Sequence, residues 1–143
     1  MWAGQLALIA AALFAGGALH VALAEQPARL ALNPEAMLIQ WKASFTRAQR
    51  SAPAQAILGV GLGLAAWWMS GRLVWAFGAV LLGANIPFTL ILIGSTNRQL
   101  LATAPAEAGP ASRALVEKWG RLHAGRTVLA LAATGAFAWA GLK

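Results

Sequence analysis

The stretch LVWAFGAVLLGANIPFTLILIG, residues 73–94, is the strongest indication of the fold, because it runs for 22 residues without a charged side chain. The hydrocarbon core of a bilayer is about 30 Å thick, and a helix needs roughly 20 apolar residues to cross it. Residues 6–24 and 52–71 form two similar uncharged blocks, and residues 127–142 form a shorter one. The sequence therefore predicts four transmembrane helices.

The composition agrees with a membrane protein. The chain has 143 residues, of which 59% are hydrophobic and 10% charged, whereas about a quarter of the residues of an average soluble domain are charged. We expect one all-α domain over residues 1–143, an integral membrane four-helix bundle with spans at about 6–24, 52–71, 73–94 and 125–142. An amphipathic cytoplasmic extension is expected to precede the fourth span. Cysteine is absent, which excludes disulfides, thiolate metal sites and cysteine nucleophiles.

The basic residues predict the orientation of the chain. Nine of them lie in the stretches between blocks one and two and between blocks three and four: Arg29, Lys42, Arg47, Arg50, Arg98, Arg113, Lys118, Arg121 and Arg126. The opposite side has only Arg72 and Lys143. The positive-inside rule then places both long loops in the cytoplasm and both termini outside, in a multi-pass protein of a bacterial-type inner membrane.

The net charge and the end of block one each allow a second interpretation, and both are weaker. A net charge of +7 is common in nucleic-acid-binding proteins, but these basic residues lie between apolar blocks, so we expect no nucleic-acid partner.

Block one ends in an Ala-Leu-Ala sequence like that of a signal-peptide cleavage site. No Lys or Arg precedes the block, and a signal peptide carries positive charge there, so we expect a retained span.

Polar side chains near the fourth span form the first part of a candidate site. Trp119, His123 and Arg126 fall on one face of a helix, within about 60° of each other. Glu117, Lys118 and Arg121 fall on the opposite face. The alternative is that Arg126 extends to the interface and His123 is a structural residue.

The predicted topology adds groups from two other helices. The end of helix one, with Glu25 and Arg29, and the end of helix three, with Asn97 and Arg98, lie on the same side of the membrane as His123. Polar groups from three helices therefore converge at one depth. Asn85 and Thr89 flank Pro87 in mid-span, and we expect them to compensate locally for the hydrogen bond that proline removes.

The same segments carry a resemblance to a known family. The sequences EQPARL at 25–30, IPFTL at 86–90, TNRQL at 96–100 and WGRLHAGR at 119–126, together with Trp41, resemble the anthrone-oxygenase-like family of small four-helix membrane proteins. The resemblance runs along most of the chain. It implies oxidation of anthrones to anthraquinones by dioxygen, without an obvious cofactor.

The first hypothesis is an enzyme that oxidises a flat phenolic or anthrone-type lipophile taken from the bilayer. Its expected catalytic residues are His123, Arg126, Asn97 and Arg98, and its expected substrate-binding residues are Trp119, Trp41, Glu25 and Arg29. A neutral imidazole suits proton abstraction, and the guanidinium and amide groups suit a developing oxyanion. No cofactor is expected besides dioxygen as a substrate. The alternative is iron or copper held by His20, Glu25 and His123.

The second hypothesis is a non-catalytic small membrane subunit or lipophile-binding protein that docks a partner. Its polar cluster would then satisfy helix ends and ion pairs. The expected partners are lipids and a hydrophobic aromatic small molecule, with a homo-oligomer or another membrane protein as further possibilities. An open pocket around Asn97, His123 and Arg126 favours the enzyme, and a collapsed, salt-bridged cluster favours the structural role.

Overall fold

The computed structural model describes all of residues 1–143 and is entirely helical, without a strand. Its four helices are α1 (Trp2–Leu30), α2 (Pro34–Ser70), α3 (Leu73–Ala102) and α4 (Pro110–Leu142). Each helix packs against the next, and α4 packs against α1. Short connections between antiparallel neighbours are typical of an up-down bundle, and the predicted all-α class is confirmed.

Local signals explain where α2 begins and ends. The side chain of Asn33 accepts a hydrogen bond of 2.9 Å from the backbone N–H of Ala36, and Pro34 occupies the first turn. Both features favour a helix start. The helix ends at Gly71, whose φ of 69° is the left-handed conformation that glycine adopts without strain.

Three of the helices, α1, α2 and α3, are long and apolar enough to cross a membrane. Large side chains on their outer surfaces are exposed, among them Leu23, Leu90 and Ile91, as expected for surfaces that face lipid. The chain is therefore a membrane protein. The predicted fourth span, residues 125–142, is not among these candidates, because its uncharged part is short and rich in Ala, Gly and Thr.

The stretches expected to be long loops are mostly helical. Helix α1 continues through Leu30 and α2 begins at Pro34, so the predicted connection 25–51 is interrupted only at residues 31–33. Helix α4 begins at Pro110 and runs without a break into the predicted fourth span. The amphipathic extension on the cytoplasmic side is not confirmed, and it stays a prediction together with the orientation of the chain.

Basic side chains close the carboxyl ends of three helices. Arg113 donates hydrogen bonds of 2.9 and 2.7 Å to the carbonyls of Leu30 and Leu32 after α1. Lys42 reaches the carbonyls at the end of α3, and Arg72 reaches that of Ala140 in α4. Cations are favourable at this end of a helix, where carbonyl groups lack partners.

The two ends of the bundle are packed differently. One end has an alanine-rich core, whose large side chains are Phe14, Trp75, Leu82 and Phe137. At this end glycines allow close approach: a Cβ on Gly63 would lie 2.7 Å from the Phe137 ring. The core of the other end contains Met37, Trp41 and Trp119. Large rings take the place of alanine there, and this is the half with the candidate site.

We predict that Gly63→Ala destabilises the bundle while Gly61→Ala does not. Both glycines lie in α2, but a Cβ at Gly61 meets nothing within 4 Å. Overpacking a filled core costs about 1–3 kcal/mol, so Gly63→Ala should lower the unfolding temperature of the detergent-solubilised protein by several degrees. Equal unfolding temperatures for the two variants would contradict the packing described here.

Candidate functional site

A cavity of about 910 Å³ opens in the half of the bundle with the bulky core. This volume is at the upper end of the roughly 300–1,000 Å³ typical of small-molecule sites. The cavity is lined by all but one of the predicted site residues: Glu25, Arg29, Trp41, Asn97, Trp119, His123 and Arg126, with His20 of the alternative metal set. The structure thus brings together groups that are up to 101 positions apart in the chain, from Glu25 to Arg126.

Helix α2 contributes more residues to the lining of this cavity than any other helix. Between Gln40 and Ala56, every residue lines the cavity except a row spaced four apart: Lys42, Thr46, Arg50 and Ala54. The cavity therefore follows α2 over this segment, beside the hydrogen bonds that Gln40 and Ser44 form with α1.

Stacked rings form the aromatic wall of the cavity. Trp41 stacks on Phe45 with 4.8 Å between ring centroids, and it meets Trp119 edge-on at 5.9 Å. Trp119 in turn stacks on His123 at 4.8 Å. The Trp119 Nε1 donates a hydrogen bond of 2.9 Å to Asn97 Oδ1. Asn97 thus holds the Trp119 ring in place.

Arg29 is the most completely bonded charged residue of the site. It is 1% exposed, and its Nη2 donates to Glu25 Oε2 at 2.9 Å. Its Nε donates to Gln40 at 2.6 Å and its Nη1 to Gln26 at 3.1 Å. The guanidinium carbon lies 5.4 Å from the centre of the Trp119 ring. Because these donors are occupied within the protein, Arg29 supports the walls of the cavity.

Two further contacts complete this support. Ser44 of α2 donates a hydrogen bond of 2.7 Å to Glu25 Oε2. Gln26 donates one of 2.9 Å to the carbonyl of Val116 in α4. A Cβ on Gly120 would lie 2.5 Å from the Gln26 amide, so only glycine allows this approach. Three helices are therefore joined beside the cavity.

The hydrogen bond of His123 assigns its tautomer. The Nε2 lies 3.3 Å from the carbonyl oxygen of Ala18, and a carbonyl can only accept, so Nε2 carries the proton. Nδ1 then holds the free lone pair, and it has no partner. Burial, followed by the charge of Arg126, lowers the pKa of His123 to about 4. The imidazole is therefore neutral at neutral pH.

Arg126 is a cation without an acidic partner. The structure contains one ion pair, that between Glu25 and Arg29. The Arg126 guanidinium lies 5.6 Å from the centre of the Phe14 ring, and its Nε is buried without a hydrogen bond. Arg126 is half-buried and lines the cavity. It is thus the positive charge available to a bound ligand.

Two sequence-based expectations are not supported by this geometry. Arg98 is exposed and does not line the cavity, because consecutive helix residues point about 100° apart and Asn97 occupies the inward position. The chain also contains no group of three His, Asp or Glu side chains that could hold a metal ion. His20 is exposed, Glu25 is bound by Arg29 and Ser44, and His123 by Ala18, so the alternative metal set is not assembled.

Sequence reasoning missed Gln26, Gln40 and Asn85 as parts of the site. A signal for Asn85 was present, because it is the only amide within a 22-residue apolar block. Gln26 precedes Arg29 by three residues in α1, a spacing at which helix side chains meet, and the two form a hydrogen bond. Gln40 has no such signal, and only the packing of α1 on α2 shows that its amide meets Arg29.

We predict that Glu25→Ala is strongly destabilising and that Glu117→Ala, at an exposed position of α4, is nearly neutral. Loss of the Glu25 carboxylate leaves the buried Arg29 charge unbalanced, at a cost of about 3 kcal/mol, the lower end of the range for a broken buried pair. Thermal unfolding in detergent measures the difference. Similar unfolding temperatures would show that Arg29 does not depend on this ion pair.

Comparison with known proteins identifies the family. The family model described as anthrone oxygenase matches residues 41–136, which is 96 of the 143 residues. The matched part includes Trp41, Asn97, Trp119, His123 and Arg126. No curated protein and no solved structure matches the chain. The predicted resemblance is confirmed, and the chain belongs to the anthrone oxygenase family.

Proposed function

We propose that this protein is a membrane-embedded oxygenase that oxidises a flat phenolic or anthrone-type lipophile with dioxygen. The observation that carries the proposal is a large cavity with aromatic walls in which a neutral imidazole and an unpaired guanidinium are three residues apart on one helix. Membership of the anthrone oxygenase family supports an oxygenase-like function at the level of the family.

The walls of the cavity suit a planar, largely apolar substrate. Phe45 is half-buried and presents its ring to the cavity, where it favours stacked or edge-on contacts with another aromatic ring system. Trp41 and Trp119, which are 0% and 7% exposed, form the wall that supports it. Exposed apolar residues of α1 and α3 that also line the cavity, Leu13, Ile86 and Leu90, give it borders on the outer surface. A substrate dissolved in the bilayer can enter past them.

The proposed chemistry starts with removal of a proton. A base takes a proton from the methylene carbon opposite the carbonyl of the anthrone, and the electron pair moves into an enolate. The enolate is electron-rich and reduces dioxygen, and a carbon–oxygen bond forms to give a hydroperoxide. Loss of water from the hydroperoxide yields the quinone carbonyl. One dioxygen is consumed and one water released, so the substrate itself supplies the electrons and no cofactor is needed.

His123 and Arg126 have complementary parts in this scheme. His123 Nδ1 is the base, because Nε2 is occupied by Ala18. Arg126 stabilises the negative charge that develops on the enolate oxygen. Three residues of a helix rise about 4.5 Å, so the two groups can act on opposite sides of one ring. Nδ1 is buried, and substrate binding must uncover it.

The arrangement gives the remaining predicted residues supporting roles. Trp41 and Trp119 form the aromatic wall against which the ring packs, Asn97 orients Trp119, and Glu25 and Arg29 hold the helices that carry them. The count of basic residues favours an orientation with the cavity on the cytoplasmic side of the membrane and both termini outside. The second candidate function is binding of a lipophile without catalysis. It would use the same cavity, but it would not require His123 Nδ1 as a base.

We predict that His123→Gln abolishes most of the oxygen uptake while leaving the fold intact. A glutamine amide can still donate to the Ala18 carbonyl but offers no base. General base catalysis contributes about 10²–10⁴-fold, so uptake and quinone formation with a panel of anthrones and hydroquinones should fall by at least 100-fold. An unchanged unfolding temperature in the variant provides the control for folding.

The same assay compares Arg126→Gln with Arg121→Gln. Arg121 lies on the exposed face of α4, so its loss should leave uptake unchanged. Arg126→Gln should lower it by about 100-fold, the lower end of the effect of removing an oxyanion contact. Background-level uptake by the unmodified protein across the panel, with the same compounds bound, would favour the lipophile-binding function.

A further inference from the structure

Asn85 is a buried amide that the reaction described above does not use. It lies in α3, is 2% exposed and lines the cavity. Its Nδ2 donates a hydrogen bond of 3.1 Å to the carbonyl of Leu82 in the same helix. Its Oδ1 is buried and has no partner.

The bond to Leu82 assigns the orientation of the amide. A carbonyl oxygen cannot donate, so the nitrogen of Asn85 must face Leu82 and the oxygen must be the free atom. The free group is thus an acceptor. A buried acceptor without a donor lowers the stability of the folded state, and an apolar residue of similar size would avoid that cost.

Unpartnered polar atoms are concentrated around this cavity. Six buried side-chain atoms in the chain lack a hydrogen bond. Four of them belong to residues that line the cavity: the donors Trp41 Nε1 and Arg126 Nε and the acceptors His123 Nδ1 and Asn85 Oδ1. This concentration points to a ligand that supplies both donors and acceptors.

Packing of α3 on α4 places Asn85 and Arg126 at similar depth. The ring of Phe88 lies against Gly125, where a Cβ would come within 2.5 Å of it. The two helices are antiparallel neighbours. Asn85 precedes Phe88 by three residues in α3, and Arg126 follows Gly125 by one residue in α4. Because the two helices run in opposite directions, both residues are displaced from this contact toward the same end of the bundle, by about one turn or less. A donor and an acceptor therefore border the same end of the cavity.

We propose that Asn85 is a specificity-determining residue whose Oδ1 accepts a hydrogen bond from a neutral phenolic hydroxyl of the substrate. The hydroxyl group donates its hydrogen to Asn85 Oδ1. The oxygen atoms at that end of the substrate accept hydrogen bonds from Arg126. This inference rests on the proposed function for the class of ligand. It adds that the site selects a hydroxylated ring over the same ring without a hydroxyl, since an absent donor leaves the acceptor unpaired.

The test measures the binding of 2-hydroxyanthraquinone and of anthraquinone to the detergent-purified protein. Quenching of tryptophan fluorescence reports the binding. The unmodified protein should bind the hydroxylated compound about tenfold more tightly, and Asn85→Leu should reduce the ratio of the two affinities to about one. Affinity for anthraquinone should change by less than about twofold. Each affinity is corrected for the measured partition of the compound into detergent, and because that partition is the same for all variants it cancels when their ratios are compared.

Two controls separate recognition from folding. Gln99→Leu removes an exposed amide of the same helix and should keep the tenfold ratio. Asn85→Leu should unfold at the same temperature as the unmodified protein or at a higher one, because it removes an unpaired acceptor. A fall of several degrees would show that the amide is structural and would overturn the proposal.

Binding needs no turnover, so this test is independent of the oxygen-uptake assay. A preference for the hydroxylated compound that survives in Asn85→Leu overturns the role of Asn85 even if the protein is an oxygenase. Equal affinities in the unmodified protein overturn it as well. A preference lost in the variant supports it, whatever the uptake assay shows.

Discussion

The buried guanidinium of Arg29 is the constraint around which this half of the bundle is organised. A buried charge is costly unless it is paired and hydrogen-bonded, and the chain meets that requirement with Glu25 and Gln26 from α1 and Gln40 from α2. The bond to Gln40, together with the one from Ser44 to Glu25, holds α1 against α2. The same guanidinium lies over Trp119 of α4, so the aromatic wall is positioned by an electrostatic network and not by apolar packing alone.

The cavity itself follows from the sizes of the side chains along the bundle. Alanine and glycine at one end allow the helices to approach closely around Phe137. At the other end the large rings of Trp41 and Trp119 pack beside the Arg29 network, and the cavity extends along α2 between Gln40 and Ala56. One end of the bundle is therefore closely packed, and the other provides the space that a ligand requires.

Sequence patterns predicted the helical class, the family and the convergence of seven of the eight proposed site residues, because uncharged blocks reveal helices and topology places their ends together. They did not predict that 34–51 is helix, since its polar residues resemble those of a loop. Arg98 was expected in the site beside Asn97 but lies outside the cavity, because neighbouring helix positions point about 100° apart. The π-helical turn Thr89–Ile93, which precedes Arg98 in α3, also changes the helical register. Glu25 and Gln26 lie within about one turn of Arg29 in the same helix, whereas its bond to Gln40 depends on a contact between helices, which no local pattern contains.

The cavity beside His123 and Arg126 is the proposed binding site of the aromatic substrate. A structure of the purified protein with 2-hydroxyanthraquinone, a product-like ligand, provides the sharpest test of that assignment. The ring system should lie between α2 and α4, in contact with Trp41 and Trp119, with an oxygen within hydrogen-bond distance of Arg126. A ligand bound only on the lipid-facing surface, with the cavity closed by side chains, would refute the assignment.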